Sequence, residues 1–312
     1  MIDESTNRQT LRVVAYIVGN AVTGSAYEQF DTGHLDVLTD IIFFYHGSTR
    51  FDRNGNVSIT QSGLDALQRM KTLIGDRPIR LHIFMQGPEV IWGGVDVEHK
   101  AAFESGVLES NIRNFLKLHN LDGVNFDYEF PDTDEDYENF SKFIVSLKRT
   151  LGDDYILSSA LNASHANYSK ECIQSFDTVE LMSYDYYEEN GDHATFRLTE
   201  EHVEAILEMG YPPEKINLGL PYYARPSDRS AYWYDWGAYY DKVDSSRYYH
   251  CPETGKQFYF NDETLVYQKT ALAIEKKLGG MMIWHYSSDA PSDSGHSLFS
   301  AIQRAKNDAG IK

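Results

Sequence analysis

Basic side chains are scarce in this sequence, with 28 lysines and arginines against 47 aspartates and glutamates, a formal net charge of −19 over 312 residues. A surface of that sign repels phosphate backbones instead of releasing their counterions, which argues against a nucleic-acid binder. Cysteine is scarcer still: Cys172 and Cys251 are too few for a disulfide framework and lack metal-ligand spacing. Long apolar runs are missing. The best, Ile41–Tyr45 and Met281–Trp284, are strand-sized and far below the roughly 18 residues that span a bilayer. Eleven histidines include no HExxH or comparable pair, and no GxSxG elbow, P-loop or dinucleotide glycine fingerprint occurs. No metal and no cofactor are therefore expected. The opening MIDESTNRQT puts acids where a secretory signal carries basic residues, so the expectation is a cytoplasmic chain or one whose leader has been removed.

The hydrophobic and charged fractions, 42% and 24%, match ordinary globular usage and exclude disorder. Eight β-branched and aromatic runs recur along the chain: Arg12–Val18, Leu38–Tyr45, Ile79–Met85, Gly123–Phe130, Tyr155–Leu161, Thr178–Tyr184, Lys215–Leu220 and Gly280–Tyr286. Amphipathic stretches lie between them, at Ser62–Ile74, Glu98–His119, Glu135–Leu151, Thr199–Met209, Thr264–Leu278 and Leu298–Lys306. Strands alternating with helices predict an α/β fold, and eight repeats over this length fit a (β/α)8 TIM barrel better than an open sheet. With no fixed-period repeat or linker, residues 1–312 are expected to form a single domain. Two gaps exceed a helix and its loops. Gly47–Thr60 holds Asn54-Gly55, the type I′ pair, and predicts a small hairpin. Tyr222–Phe260 follows the seventh strand and predicts an extended rim loop or modest insertion, rich in aromatics from Tyr232 to Tyr240. That cluster either stacks against a ligand or packs its own loop.

The most informative stretch is Leu121-Asp-Gly-Val-Asn-Phe-Asp-Tyr-Glu-Phe-Pro131. Side chains alternate along a strand, so Asn125, Asp127 and Glu129 share one face and Val124, Phe126 and Tyr128 the other. A solvated strand edge would alternate likewise. In a parallel barrel both faces are covered, so the polar row must point into the barrel mouth. Asp127 and Glu129 then lie roughly 6.6 Å apart along the strand, close enough to raise the proton affinity of one of them, as a general acid at neutral pH requires. Asp132, Asp134 and Asp136 imitate the start of a calcium loop, but Tyr137 and Phe143 occupy positions that need Gly and Glu. They read instead as caps for the next helix.

The pattern Asp-Gly-x-Asn-x-Asp-x-Glu resembles the DxxDxDxE motif on the fourth barrel strand of family 18 glycoside hydrolases, the chitinase-like enzymes. Met182-Ser-Tyr-Asp185 resembles the family's sixth-strand MxYD element. Leu218-Gly-Leu-Pro-Tyr-Tyr-Ala-Arg225 resembles the seventh-strand GxPxYGR, with Ala224 for Gly, and Gly279-Gly-Met-Met-Ile-Trp284 the eighth-strand GGxMxW. The likeness runs from about Arg12 to Asp289. Two departures stand out: Asn125 replaces the second acid of the motif, and Ile83-Phe-Met-Gln-Gly-Pro88 replaces the usual Ser-x-Gly-Gly turn after the third strand.

The resemblance implies cleavage of β-1,4 bonds next to N-acetylglucosamine, in chitin or chito-oligosaccharides, by a retaining mechanism in which the substrate's acetamido group is the nucleophile. It implies Glu129 as acid and base, Asp127 as orienting and charge-offsetting carboxylate, and Tyr184 and Asp185 as holders of the acetamido group. Trp284 would be the platform under the sugar, with Asn125 and Met182 also in the substrate site. Tyr16, Tyr223 and Arg225 are open between subsite and packing roles. An endo-β-N-acetylglucosaminidase acting on N-glycans, a peptidoglycan hydrolase and a sugar-binding lectin on the same barrel are the alternatives. The expected partner is the glycan alone, acting on a monomer with no membrane span, and the resemblance favours a secreted or extracytoplasmic protein.

Overall fold

The computed structural model describes residues 10–87 and 97–311. The opening segment and Pro88 lie outside the described residues. Eight parallel strands close into a barrel: β1 (Arg12–Val18), β2 (Asp40–Phe44), β3 (Arg80–Met85), β4 (Gly123–Asp127), β5 (Ile156–Leu161), β6 (Thr178–Leu181), β7 (Ile216–Pro221) and β8 (Gly280–Trp284). Each pairs with its chain neighbours, and β8 returns to β1 in the register Ala15↔Ile283. All eight fall within the expected runs or overlap them closely. Four of them, β2, β4, β6 and β8, end a residue or more earlier, because ladder pairing stops where the strands flare into loops.

Period-two alternation sorts the side chains. Val13, Ala15, Ile41, Phe43, Val124 and Phe126 join the outer apolar layer against the helices. Val14, Tyr16, Ile42, Phe44, Phe84 and Met282 fill the barrel interior. Below them the interior turns polar. Asp40 meets His82 at 2.9 Å and Arg80 at 2.7 Å, and the buried Glu180 accepts from Asn217 at 3.0 Å and from Thr178 at 3.0 Å.

The helices are α1 (Gln61–Ile74), α2 (Leu108–Leu118), α3 (Asp134–Leu151), α4 (Lys170–Ser175), α5 (Phe196–Glu208), α6 (Glu263–Glu275) and α7 (Leu298–Asp308), with short pieces at Gly24–Glu28, Val97–Phe103 and Trp236–Tyr239. The single helix expected over Glu98–His119 is corrected to two, split by a turn in which Gly106 takes φ +71°. α3 matters most for the site. Thr133 and Asp136 form a reciprocal capping box at its start, which is the use made of the acidic run, and its buried stripe is Phe140, Phe143, Ile144, Leu147 and Leu151. Tyr128 stacks on Phe140 at 4.8 Å and Phe126 meets Phe143 at 5.5 Å. Burying these rings against α3 commits the outer face of β4, and the alternate residues must then point inward. Among the described residues no helix is long and apolar enough to cross a membrane, and no cluster of His, Cys, Asp and Glu could hold a metal.

The Gly47–Thr60 hairpin forms between Thr49–Phe51 and Val57–Ile59. Its turn is not type I′, which needs positive φ at two residues; only Gly55 has it, and the Gly55 N–H closes the turn on the Asp52 carbonyl at 2.9 Å. Of the two readings of the segment after β7, the structure forms the insertion and not a plain rim loop: Tyr223–Ala224 pairs with Tyr234–Asp235, Tyr248–His250 with Gln257–Tyr259, and one helical turn lies between. Tyr234 stacks on Tyr239 and Phe258 at 4.3 and 4.4 Å, so the ribbons share a small aromatic core.

Candidate active site

At the carboxyl ends of the strands lies a cavity of about 500 Å³, in the range of small-ligand sites. Asp127 and Glu129 come to it from β4, Met182, Tyr184 and Asp185 from the end of β6, and Tyr223 and Arg225 from beyond β7. Tyr16 of β1 and Trp284 of β8 complete the set expected from sequence, their rings edge to face at 5.3 Å. Asn125 is the exception. It is wholly buried beneath the floor, where its Oδ1 accepts from the Tyr16 hydroxyl at 2.9 Å and its Nδ2 donates to Ser158 at 2.8 Å. An expected ligand contact is therefore corrected to a support for Tyr16, because both polar ends of the amide are already taken.

Sequence reasoning missed Phe130, Ala160, Asn162 and Tyr186 as lining residues, and left Trp233 undivided within its cluster. Asn162 directly follows β5, so the rule that ligands meet barrel strands at their carboxyl ends was the available signal. Tyr186 lies one residue beyond Asp185 and its hydroxyl bonds Asn162. Of the aromatic cluster only Trp233 faces the cavity, whereas Tyr234 stacks on Tyr239 and Trp236 packs on Tyr240.

Asp127 and Glu129 share a hydrogen bond. Burial, the adjacent Glu129 charge and that bond together push the Asp127 carboxyl well above the usual carboxylate range. Burial also raises Glu129; its bond with Asp127 works downward and the charge of Asp185 upward again. Each carboxyl in this poorly solvated pocket thus holds its proton more tightly than a solvated one, Asp127 most of all. Asp127 Oδ1 is buried and has no hydrogen-bond partner among the described residues. An orphaned acceptor facing a cavity is a place for a ligand N–H or O–H.

Asp185 is held differently. Burial would raise its carboxyl, but His193 and Arg225 outweigh that and hold it well below the usual range. The Tyr223 hydroxyl donates to Oδ1 at 2.7 Å, while Arg225 stacks over the Tyr223 and Trp233 rings at 5.7 and 5.2 Å. The cavity thus sets one carboxyl lowered by a cation beside a pair raised by burial. Charge separated in this way suits acid catalysis beside a developing positive centre.

Solved structures share this barrel. The chitinase ChiB from the chitin utilization locus of Flavobacterium johnsoniae superposes with a TM-score of 0.76 at 22% identity, over 97% of this chain and 96% of that one. Human YKL-39, described as a pseudo-chitinase with retained chitooligosaccharide binding, superposes at 0.74 with 15% identity, over 96% and 100% of the two chains. These likenesses establish the fold. In sequence, Chitinase 1 of Aphanocladium album is 26% identical over 233 residues, which cover 58% of this chain and 55% of that protein, so the match spans about half of the relative's length. The family model described as glycosyl hydrolases family 18 matches residues 99–289, a span that carries the acid pair, Asp185, Arg225 and Trp284. By that match, and by the barrel that sets those side chains around one cavity, the chain belongs to glycosyl hydrolases family 18.

Proposed function

We propose that the chain hydrolyses β-1,4 bonds on the reducing side of N-acetylglucosamine units in chitin-type glycans, retaining the anomeric configuration through the substrate's own acetamido group. The observation that carries this reading is the unpartnered, buried Asp127 Oδ1 beside Glu129, whose carboxyl burial raises. An acetamido N–H fits that acceptor, and binding it turns the acetamido carbonyl oxygen toward C1. The Tyr184 hydroxyl, on the same wall, holds the carbonyl end. Glu129 protonates the glycosidic oxygen as the carbonyl oxygen closes on C1, giving an oxazolinium ion whose charge Asp127 offsets. Water then adds at C1 with Glu129 as base. Trp284 supplies the apolar floor under the ring. The same acids and the overall charge of −19 disfavour anionic glycans such as peptidoglycan strands.

The test is Glu129→Gln on chitotetraose, an N-glycopeptide and peptidoglycan, with products read by mass and by anomer. Turnover of chitotetraose is expected to fall by about 10²–10⁴-fold while oligosaccharide affinity holds. Near-normal turnover would remove Glu129 from its role, and a wild type that binds chitotetraose and cleaves none of the three would sink the reading and favour a lectin.

A further inference from the structure

Lys269 lies on α6 and is fully buried, away from the cavity. Its Nζ donates to the Ala194 carbonyl at 2.7 Å and to Asn261 Oδ1 at 2.6 Å. Asn261 Nδ2 reaches the same carbonyl at 3.3 Å. No acid faces the amine, and burial alone lowers it to about 7; the titratable groups it faces are His193 and His202, both lowered first by burial and further by its charge. Charged or neutral, an amine has hydrogens for both acceptors. A buried lysine is costly, and here no carboxylate offsets it.

What Lys269 grips is the loop between β6 and α5 at a strained point. Ala194 has φ +49° and Asp185, at the other end of the loop, φ +63°, a region that side-chain-bearing residues seldom occupy. Between them His193 is completely buried, with Nε2 3.0 Å from the Asp185 backbone N and 3.1 Å from its Oδ1. A tether on the Ala194 carbonyl therefore fixes the next ring along the chain, and that ring fixes Asp185.

We propose that Lys269 is a positioning residue of the active site: through the Ala194 carbonyl it holds His193 against Asp185, and so sets the carboxylate that faces the acid pair. The inference rests on the reading above for its kinetic test. Lys269→Met is expected to lower kcat on chitotetraose by about tenfold with KM changed less than about threefold. In a His193→Phe background the same substitution should cost less than about twofold, since coupled residues are not additive. Ala194→Gly should restore most of the lost kcat, because glycine takes the left-handed conformation without a tether. Full additivity, or an unchanged kcat in folded protein, would overturn the proposal. If Lys269→Met does not fold, Asn261→Ala removes the second anchor of the same carbonyl and is read in the same cycle. The ¹⁵N resonance of His193, assigned by its loss in His193→Phe, reports independently of activity: it must move in the Lys269 or Asn261 variant. A static resonance refutes the tether, whereas a wild type inactive on every glycan refutes only the proposed function.

Discussion

Arg225 grips both oxygens of Asp185, with Nε 2.5 Å from Oδ1 and Nη2 2.8 Å from Oδ2. The two residues follow different strands, β6 and β7, and lie 40 positions apart in the chain. Their pairing fixes the plane of the carboxylate as well as its charge, which a point cation cannot do. Arg225→Lys keeps the charge and loses the fork. Steady-state kinetics on chitotetraose should show kcat/KM reduced by about tenfold or more, close to the loss in Arg225→Met. A lysine variant with wild-type rates would mean that charge alone is what Asp185 needs.

Asp127 trades stability for chemistry. Its folded-state carboxyl is raised, so the folded protein holds a proton that the unfolded chain releases near pH 4. The associated stabilisation is complete below that pH and is lost as pH rises through the folded value. Asp127→Asn should therefore melt higher than wild type at pH 8, with no gain at pH 4, while its turnover falls. Thermal unfolding across that range, set beside activity, checks both halves.

Glu180 makes a second pH signature away from the cavity. Burial raises it from 4.5 to about 7, despite bonds from Asn217 and Thr178 that pull the other way. The sign is the same: its contribution is present below 4.5 and disappears as pH climbs through about 7. Melting temperature in wild type should decline over that interval, and Glu180→Gln should flatten the decline. An unchanged slope in the variant would assign the pH dependence to other groups.

Gly219 of β7 has no room for a side chain. A Cβ there would stand 2.3 Å from the Leu181 carbonyl oxygen, which is backbone and cannot swing away, and 3.0 Å from the Tyr184 ring. Gly219→Ala should cost about 1–3 kcal/mol of stability, as overpacked sites do, and weaken chitotetraose binding through the displaced tyrosine. Denaturant unfolding and calorimetry separate the two losses.

Much of this was legible because two periodicities coincide in β4: the apolar set Val124, Phe126 and Tyr128 needed a helix to cover it, so Asn125, Asp127 and Glu129 had nowhere to go but inward. Most helix and strand placement followed from the same reasoning; the exceptions are Ser105-Gly106, where a left-handed glycine breaks an otherwise continuous amphipathic pattern, and the six-residue α4, too short to show one. The roles of single polar residues were less legible. Asn125 stands in the motif beside the acids, and nothing local reveals that Tyr16, 109 positions away, and Ser158, 33 away, engage its amide oxygen and nitrogen. Trp233 and Tyr234 are neighbours of equal aromatic character; the ribbon's pairing alone sends one to the cavity and the other into the insertion's core.

That ribbon leaves the two sides of the cavity with separate origins. The proton-handling residues stand on barrel strands locked by α3, whereas Trp233 is borne by a small unit with its own aromatic filling, joined to the barrel just beyond β7. Changes around Trp233 can therefore reshape the mouth of the cavity without touching Asp127 or Glu129, provided that Arg225, at the base of the same ribbon, keeps its grip on Asp185.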